Sequence, residues 1–337
     1  MSDCVLIVGG AGYIGSHMVH YCHSRSVEVV VLDDLSRGHR DAIPSGVCFY
    51  QGDMADQCVL QRIFSQHSIT SVMHFASLIE VAESMRDPAA YFHCNVTKTL
   101  SLIDVVLGHG VRHFIFSSTA AVYGHPLTVP VSESANTAPI NPYGRSKLTV
   151  EYVLESYFHA YGLQYAAMRY FNAAGAHPQG HLSERHQPET HLIPLLLQVV
   201  AGERESFTVF GEDYDTPDGT CIRDFIHVED LCSAHWAALS YLKHDSQHSA
   251  VFNVGNNRGY SVLEVIEAVY RVTGVQVKLK KADRRPGDPA MLVADAGRLQ
   301  RYCRWQAEFT DIDTIIAHAW QAKKKRMKQL AGGAVHE

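Results

Sequence analysis

The sequence predicts an α/β protein built on a doubly wound parallel sheet, with a smaller mixed α/β region following it. Three observations carry this. Short β-branched runs alternate with helix-length stretches through the first half of the chain, and strands separated by helices imply right-handed βαβ crossovers. The first apolar run, Val5-Leu6-Ile7-Val8, leads directly into a glycine cluster at Gly9, Gly10, Gly12 and Gly15. The regular alternation then lapses after Asn172, where the polar stretch Ala176 to Thr190 holds Pro178, Gly180 and Pro188.

The elements follow in order. After the first strand, Gly15 to Arg25 reads as helix; Val27 to Leu32, Val47 to Gln51 and Ser71 to Phe75 read as the next three strands. Tyr91 to Gly108 is expected to form one long helix and Val111 to Phe116 a fifth strand. Tyr143 to Tyr161 is another long helix, and Gln164 to Tyr170 a sixth strand. This places a first domain at residues 1–170 and a second region at 171–337, with Val251-Phe252-Asn253-Val254 as a segment able to rejoin the first sheet. Ligands of such sheets lie in the crevice at the carboxyl ends of the strands.

Composition narrows the function classes. The 337 residues are 46% hydrophobic and 19% charged, with a net charge of −6, which suits a globular enzyme and excludes nucleic acid as the main expected partner. Lys323-Lys324-Lys325-Arg326 reads as a solvated helix end. Eight cysteines, none in a CxxC pair, suggest reduced thiols in a cytoplasmic protein. The amino terminus lacks the basic start of a signal peptide, and no run approaches the roughly 18 apolar residues of a membrane span.

The glycine cluster has the context of a dinucleotide site. It follows a strand and opens a helix, so the backbone can approach a diphosphate closely, and the N–H groups at Tyr13, Ile14 and Gly15 face that anion with the positive end of the helix dipole. Asp33 closes the second strand within about 20 residues, where a carboxylate accepts bonds from the ribose hydroxyls and repels a 2′-phosphate; this favours NAD over NADP. Further on, Tyr143 and Lys147 stand four apart in the predicted helix and so share a face. A phenol titrates near ~10 and is a poor base at neutral pH; a neighbouring ammonium is expected to lower that value. Phe116-Ser117-Ser118-Thr119 ends the fifth strand, where a hydroxyl can hydrogen-bond a reacting oxygen; Thr119 is the first choice for that role and Ser118 the second.

The glycine spacing GxxGxxG at 9, 12 and 15, with Gly52-Asp53-Met54 and His74-Phe75-Ala76, resembles the Rossmann-type extended short-chain dehydrogenase/reductase family. The stretches Gly9 to Ser16, His74 to Ser84, Phe116 to Gly124, Pro142 to Lys147, Arg169 to Gly175, Gly211 to Asp230 and Arg284 to Asp288 narrow the likeness to the UDP-glucose (UDP-galactose) 4-epimerase family. The resemblance implies an isomerase of galactose metabolism that inverts C4 of a UDP-sugar through a 4-keto intermediate, using bound NAD, in a homodimer. It implies that Tyr143 is the base, Thr119 aligns the sugar hydroxyl, and Lys147 tunes Tyr143 and binds the nicotinamide ribose. Asp53 is implied to hold the adenine, with Met54, Phe75, Ala76, Asn95 and Tyr170 also on the cofactor. Asn172, Arg223 and Arg285 are implied to bind the diphosphate and Asp288 the uridine ribose, with His191, Leu192 and Phe210 completing the substrate-binding region.

The sequence departs from that pattern at three positions. Ile79 stands where some members place a lysine near the diphosphate, Thr119 where a serine is common, and His191 where an asparagine is frequent. A 4,6-dehydratase is disfavoured because Ala120-Ala121 replaces the Asp-Glu pair that elimination needs. A 4-epimerase for another UDP-sugar is the second alternative; the resemblance implies that Leu292 stands near the C2 substituent, where its bulk favours glucose and galactose over N-acetylated sugars. A non-catalytic NAD-binding sensor is disfavoured by the presence of Tyr143, Lys147 and Thr119 together. His177, His181, His186 and His191 recur in one loop, but their spacing matches no metal template, so no metal is expected there.

Overall fold

The computed structural model describes residues 3–244, 249–285 and 288–333. Its first body is the expected parallel sheet. Strands β1 (Cys4–Val8), β2 (Glu28–Asp33), β3 (Cys48–Gln51), β4 (Ser71–His74), β5 (His113–Thr119) and β6 (Gln164–Tyr170) lie in the order β6-β5-β4-β1-β2-β3. The chain runs from β1 outward to β3 and then crosses back to β4, so the order reverses beside β1 and opens a crevice at the carboxyl ends there. All five residues of β1 are buried, as a strand covered on both faces requires. Its alternation divides them: Val5 and Ile7 enter one core, while Cys4, Leu6 and Val8 enter the other.

Helix α1 (Tyr13–His23) begins two residues before the expected Gly15, and α2 (Gln57–Gln66), which was not expected, is capped by Asp56, whose side chain accepts from the N–H groups of Cys58 and Val59. The helix expected over 91–108 is present but contains a π turn and starts earlier: α3 (Val81–Arg86) precedes it, and α4 (Pro88–Phe92), a π-helical turn at His93–Lys98 and α5 (Thr99–Gly108) follow without a gap. Asp87 and Pro88 force the first break, the carboxylate capping the N–H of Ala90. The widened π turn carries Asn95, fully buried, whose amide is fixed by Leu78 N–H (2.8 Å), Leu78 C=O (3.0 Å) and Ser146 (3.1 Å). Helix α6 (Pro142–Tyr161) is bounded by Asn141, which accepts from Gly144 N–H, and by Gly162 in the left-handed conformation at φ 71°.

Beyond Asn172 the chain is shared between two bodies. A small sheet joins β7 (Asn172–Ala174), β9 (Ile222–His227), β11 (Gly259–Ser261) and β13 (Met291–Leu292), and β8 (Phe207–Phe210) pairs with β12 (Leu279–Ala282). Helices α7 (Leu192–Val200), α9 (Val262–Thr273) and α11 (Ile312–Gly333) cover it around Leu196, Val265, Val269, Ile315 and Ile316. By contrast, α8 (Val228–His244), β10 (Ala250–Val254) and α10 (Gly297–Cys303) belong to the first body. Strand β10 extends the large sheet to seven strands by pairing with β6, and Leu231, Leu242 and Leu299 enter the core beside Val5. A cut at residue 171 therefore separates β10 from the sheet it completes. No helix among the described residues is long and apolar enough to cross a membrane.

A buried polar network ties β5, β6, β10 and α6 together. The Arg169 guanidinium donates to both oxygens of Glu151, at 3.0 and 2.6 Å, and their side chains are 6% and 5% exposed. Arg169 also donates to the Tyr123 hydroxyl (2.9 Å), which donates to Asn253 (2.7 Å). Removing one member of such a pair leaves a buried charge without a partner. Arg169→Ala is accordingly expected to lower unfolding stability by about 3–5 kcal/mol in urea titration. Arg271→Ala, which breaks the exposed pair with Asp313, is expected to cost under about 1 kcal/mol.

Candidate active site

The glycine turn is shaped by two close approaches. Gly9, at φ 78°, lies so near the segment after β4 that a Cβ would sit 2.4 Å from the backbone nitrogen of Ala76; at Gly15 a Cβ would meet the Gly9 carbonyl at 2.1 Å. Gly12 differs: a Cβ there would touch only that carbonyl, at 3.4 Å, leaving open space in front of the helix start. Helix α1 has no side-chain cap and no acidic residue in its first turn. Its leading N–H groups, at Tyr13, Ile14 and Gly15, are thus donors suited to a dinucleotide diphosphate. Tyr13 is pinned by its hydroxyl, which donates to the Gly175 carbonyl at 2.8 Å.

Asp33, at the end of β2, accepts from the N–H groups of Ala11 and Leu35, each at 2.8 Å, and so braces the turn. Each oxygen retains a lone pair for a ribose hydroxyl. Burial raises its pKa, with these two backbone bonds pulling the other way. Asp53 is paired with Lys98 and accepts from Ala55 N–H at 2.9 Å. Lys98 was not singled out by the sequence reading, although three-residue spacing from Asn95 in a helix puts both on one side. Met54 is buried against His74, and Phe75 and Ala76 both donate backbone N–H groups to the Val8 carbonyl, at 2.8 and 3.2 Å. These contacts close the floor of the crevice next to the glycine turn.

Thr119, the last residue of β5, accepts from Ala121 N–H at 3.1 Å, and its hydroxyl is near enough to the phenol of Tyr143 on α6 to favour the ionised form. Lys147, one turn further along α6, is 1% exposed, and its ammonium donates to the Ser117 carbonyl at 2.8 Å. Ser118 does not join them. Neighbouring strand residues point to opposite sides, and the Ser118 hydroxyl donates to the buried Glu151 instead; it cannot also face a ligand beside Tyr143. The expected acidification of Tyr143 by Lys147 is not found in this arrangement. Burial raises the phenol pKa, the Thr119 hydroxyl opposes that, and Glu80 adds to it. Lys147 is itself held down to about 7 by burial, against the pull of Cys94 and Glu151. Its charge goes to the strand carbonyl rather than to the phenol. Tyr170 is buried, with its hydroxyl on His235.

The second body supplies the facing wall. The Asn172 amide donates to the Asp224 carbonyl at 2.7 Å. Arg223 on β9 lies 3.9 Å from Asp288, and the Arg285 guanidinium lies 4.0 Å over the Phe210 ring. Arg223, Asp288 and Arg285 all act on the Cys221 thiol, so these charges are clustered. Leu292 on β13 is paired in register with Arg223 and packs with Phe171 near Val122 and Leu148. His191 and Leu192 begin α7. His191 is accompanied by Glu184 and Glu189, which hold its imidazole in the charged form although burial opposes this. Thr190 donates to Glu80 at 2.9 Å, joining this loop to the edge that carries Tyr143. His177 and His181 lie against each other with tilted rings, centroids 3.7 Å apart, separate from the His186–His191 pair.

The arrangement is thus a nucleotide crevice ending in a tyrosine–threonine pair, with guanidinium groups across from it. The chain is similar to proteins with this equipment. The sequence profile of the NAD dependent epimerase/dehydratase family matches residues 5–255. UDP-glucose 4-epimerase of Halalkalibacterium halodurans is 47% identical over 321 residues, covering 95% of this chain and 96% of that one. UDP-glucose 4-epimerase from Brucella ovis in complex with NAD superposes with a TM-score of 0.91 at 43% identity, covering 95% of this chain and 98% of that one. The Bifidobacterium longum UDP-glucose 4-epimerase in complex with NAD+ and UDP gives 0.91 at 36% identity, covering 96% and 99%. This chain belongs to the NAD dependent epimerase/dehydratase family.

Proposed function

We propose that this protein is a UDP-glucose 4-epimerase that interconverts UDP-glucose and UDP-galactose with bound NAD, through a 4-keto sugar. The observation that carries the reading is the convergence of Thr119, at the carboxyl end of β5, with Tyr143 and Lys147, one turn apart on α6, where Lys147 is bonded to the same strand through the Ser117 carbonyl. Relatives that carry this name and hold NAD or UDP support it. NAD, when bound, supplies reversible two-electron oxidation at C4 of the sugar.

The chain's own residues do the rest. Tyr143 takes the proton of the 4-hydroxyl and returns it after the sugar has turned over, while Thr119 fixes the line between hydroxyl and phenol. Lys147, whose burial lowers its pKa to about 7, gains protonation beside an anionic phenol and so favours the basic form of Tyr143. It also serves the nicotinamide ribose, and Asn95 and Tyr170 shape that end of the crevice. Asp33 and Asp53 hold the adenosine end, with Met54, Phe75 and Ala76 as its floor. Asn172, Arg223 and Arg285 grip the diphosphate and Asp288 the uridine ribose, with Leu192 and Phe210 beside them; this remote binding keeps the 4-keto sugar in place while it rotates. Residues 171–337 thereby act mainly as the substrate region. The eight free cysteines suit a reducing cytoplasm. The exposed Tyr152 and Tyr161 on α6 suit a homodimer contact, in an enzyme of galactose metabolism.

Tyr143→Phe is expected to lower kcat for UDP-galactose by about 10²–10⁴-fold while NAD content and UDP binding stay near wild type. Thr119→Ser should stay within a few-fold of wild type and Thr119→Val should not; unchanged turnover in Tyr143→Phe would remove it as the base. Leu292 further predicts a preference for UDP-galactose over UDP-N-acetylgalactosamine of at least about 10-fold in kcat/KM, the scale of an ill-fitting small group. Leu292→Ser should narrow that ratio. Equal kcat/KM for both sugars in the wild type would contradict the assigned role of Leu292.

A further inference from the structure

The polar loop between β7 and α7 gathers four side chains whose spacing in sequence gives no hint of it. One donor atom from each of Glu184, His186, Glu189 and His191 lies within 4.8 Å of all the others. Glu184 Oε1 is 2.9 Å from Nδ1 of both His186 and His191, and His191 Nδ1 is 3.0 Å from Glu189 Oε1. The two carboxylates are only 7% and 6% exposed, whereas the imidazoles are 20% and 41% exposed, so the cluster is buried from below and reachable from one side.

Charge balance makes this cluster unusual. Among the described residues no lysine or arginine pairs with Glu184 or Glu189: Arg185 turns away to Asp41, and Arg37 reaches Glu83 and the Gln187 carbonyl. Two carboxylates therefore converge on a single imidazole nitrogen, which has at most one proton to share between them; Glu189 Oε1 also accepts the Thr190 and His191 N–H groups at 2.8 and 2.9 Å, which are neutral donors. We infer that Glu184, His186, Glu189 and His191 form a binding site for a divalent transition-metal ion, with zinc the best match to two imidazole nitrogens and two carboxylate oxygens. Bonds of about 2.0–2.1 Å in a tetrahedron set ligand atoms roughly 3.3–3.4 Å apart, so the three short contacts would open by a few tenths of an ångström while the wider separations, up to 4.8 Å, would close by about 1.4 Å.

The position assigns the ion a task. The loop is fastened over the glycine turn by His39, which bonds the Arg185 carbonyl at 3.1 Å, and by the Arg185–Asp41 pair. At its other end Thr190 bonds Glu80. An ion here clamps residues 184–191 between those two anchors and fixes His191 at the head of α7. It is a structural clamp on the crevice cover, holding no reacting atom. That task rests on the proposed reading of the crevice; metal binding itself does not.

The test uses the full chain, stripped with chelator and then loaded with Zn²⁺, Mn²⁺ or Mg²⁺. After gel filtration, elemental analysis is expected to find one equivalent of zinc per chain, with little magnesium. Zinc should raise Tm in the wild type, and Co²⁺ should give the visible absorption of a tetrahedral site. Glu189→Gln and His186→Ala should each lose the retained ion, whereas His177→Ala/His181→Ala should keep it, which separates this site from the other histidines. No retained zinc in the wild type, or equal retention in all variants, would overturn the proposal; the first result identifies a proton on His191 as the cluster's counter-charge. The cobalt spectrum is read on wild-type protein, so a variant that fails to fold does not blunt the test. NAD content and turnover of the stripped protein, measured in parallel, report on the epimerase reading separately.

Discussion

The site depends above all on how α6 is locked across the carboxyl end of β5. Lys147 donates to the Ser117 carbonyl, Glu151 one turn later takes the Ser118 hydroxyl, and Arg169 from β6 clamps Glu151 from the neighbouring strand. Tyr143, Lys147 and Glu151 recur at four-residue intervals along one face of that helix. Register between helix and strand is thus set three times within two turns, and the uppermost of these side chains meets Thr119. A slip of one residue in β5 would present Ser118 to Tyr143 and turn Ser117 toward Glu151. The ion pair beneath is costly to desolvate, and its return is the fixed position of two functional side chains above it.

Much of the first body was legible from sequence because its signals are local. Val5 to Val8 followed by glycines can only be a buried strand entering a tight turn, and the two close approaches at Gly9 and Gly15 show why larger side chains are excluded. The Tyr143–Lys147 spacing was equally legible, since helical periodicity alone puts them together. The π turn around Asn95 was hidden, because a single extra residue in a helical ladder leaves no mark in a hydrophobic pattern. The choice between Ser118 and Thr119 needed the strand's register, which no local pattern contains.

The second half was less legible for a physical reason. Its strands are short, some of two or three residues, and its segments alternate between two bodies: α8 and β10 return to the large sheet while β9 and β11 on either side do not. Long-range pairing decides such placements. The same holds for the Glu184–His191 loop. Its acidic and imidazole groups are brought together by an irregular path that is anchored at Asp41 and Glu80, far away in sequence. The electrostatics of Lys147 and Tyr143 also emerged only from burial, which pushes both away from their charged forms. In the proposed reading, an anionic Tyr143 phenol and the positive charge of Lys147 would favour one another.

The central claim is that configuration at C4 is inverted by oxidation and reduction of one carbon within this crevice. The most direct measurement is the fate of the hydrogen on that carbon, followed by mass spectrometry and NMR with UDP-galactose deuterated at C4 in ordinary water. The account predicts UDP-glucose that retains the deuterium at C4. Product that has exchanged its label for solvent hydrogen would contradict it.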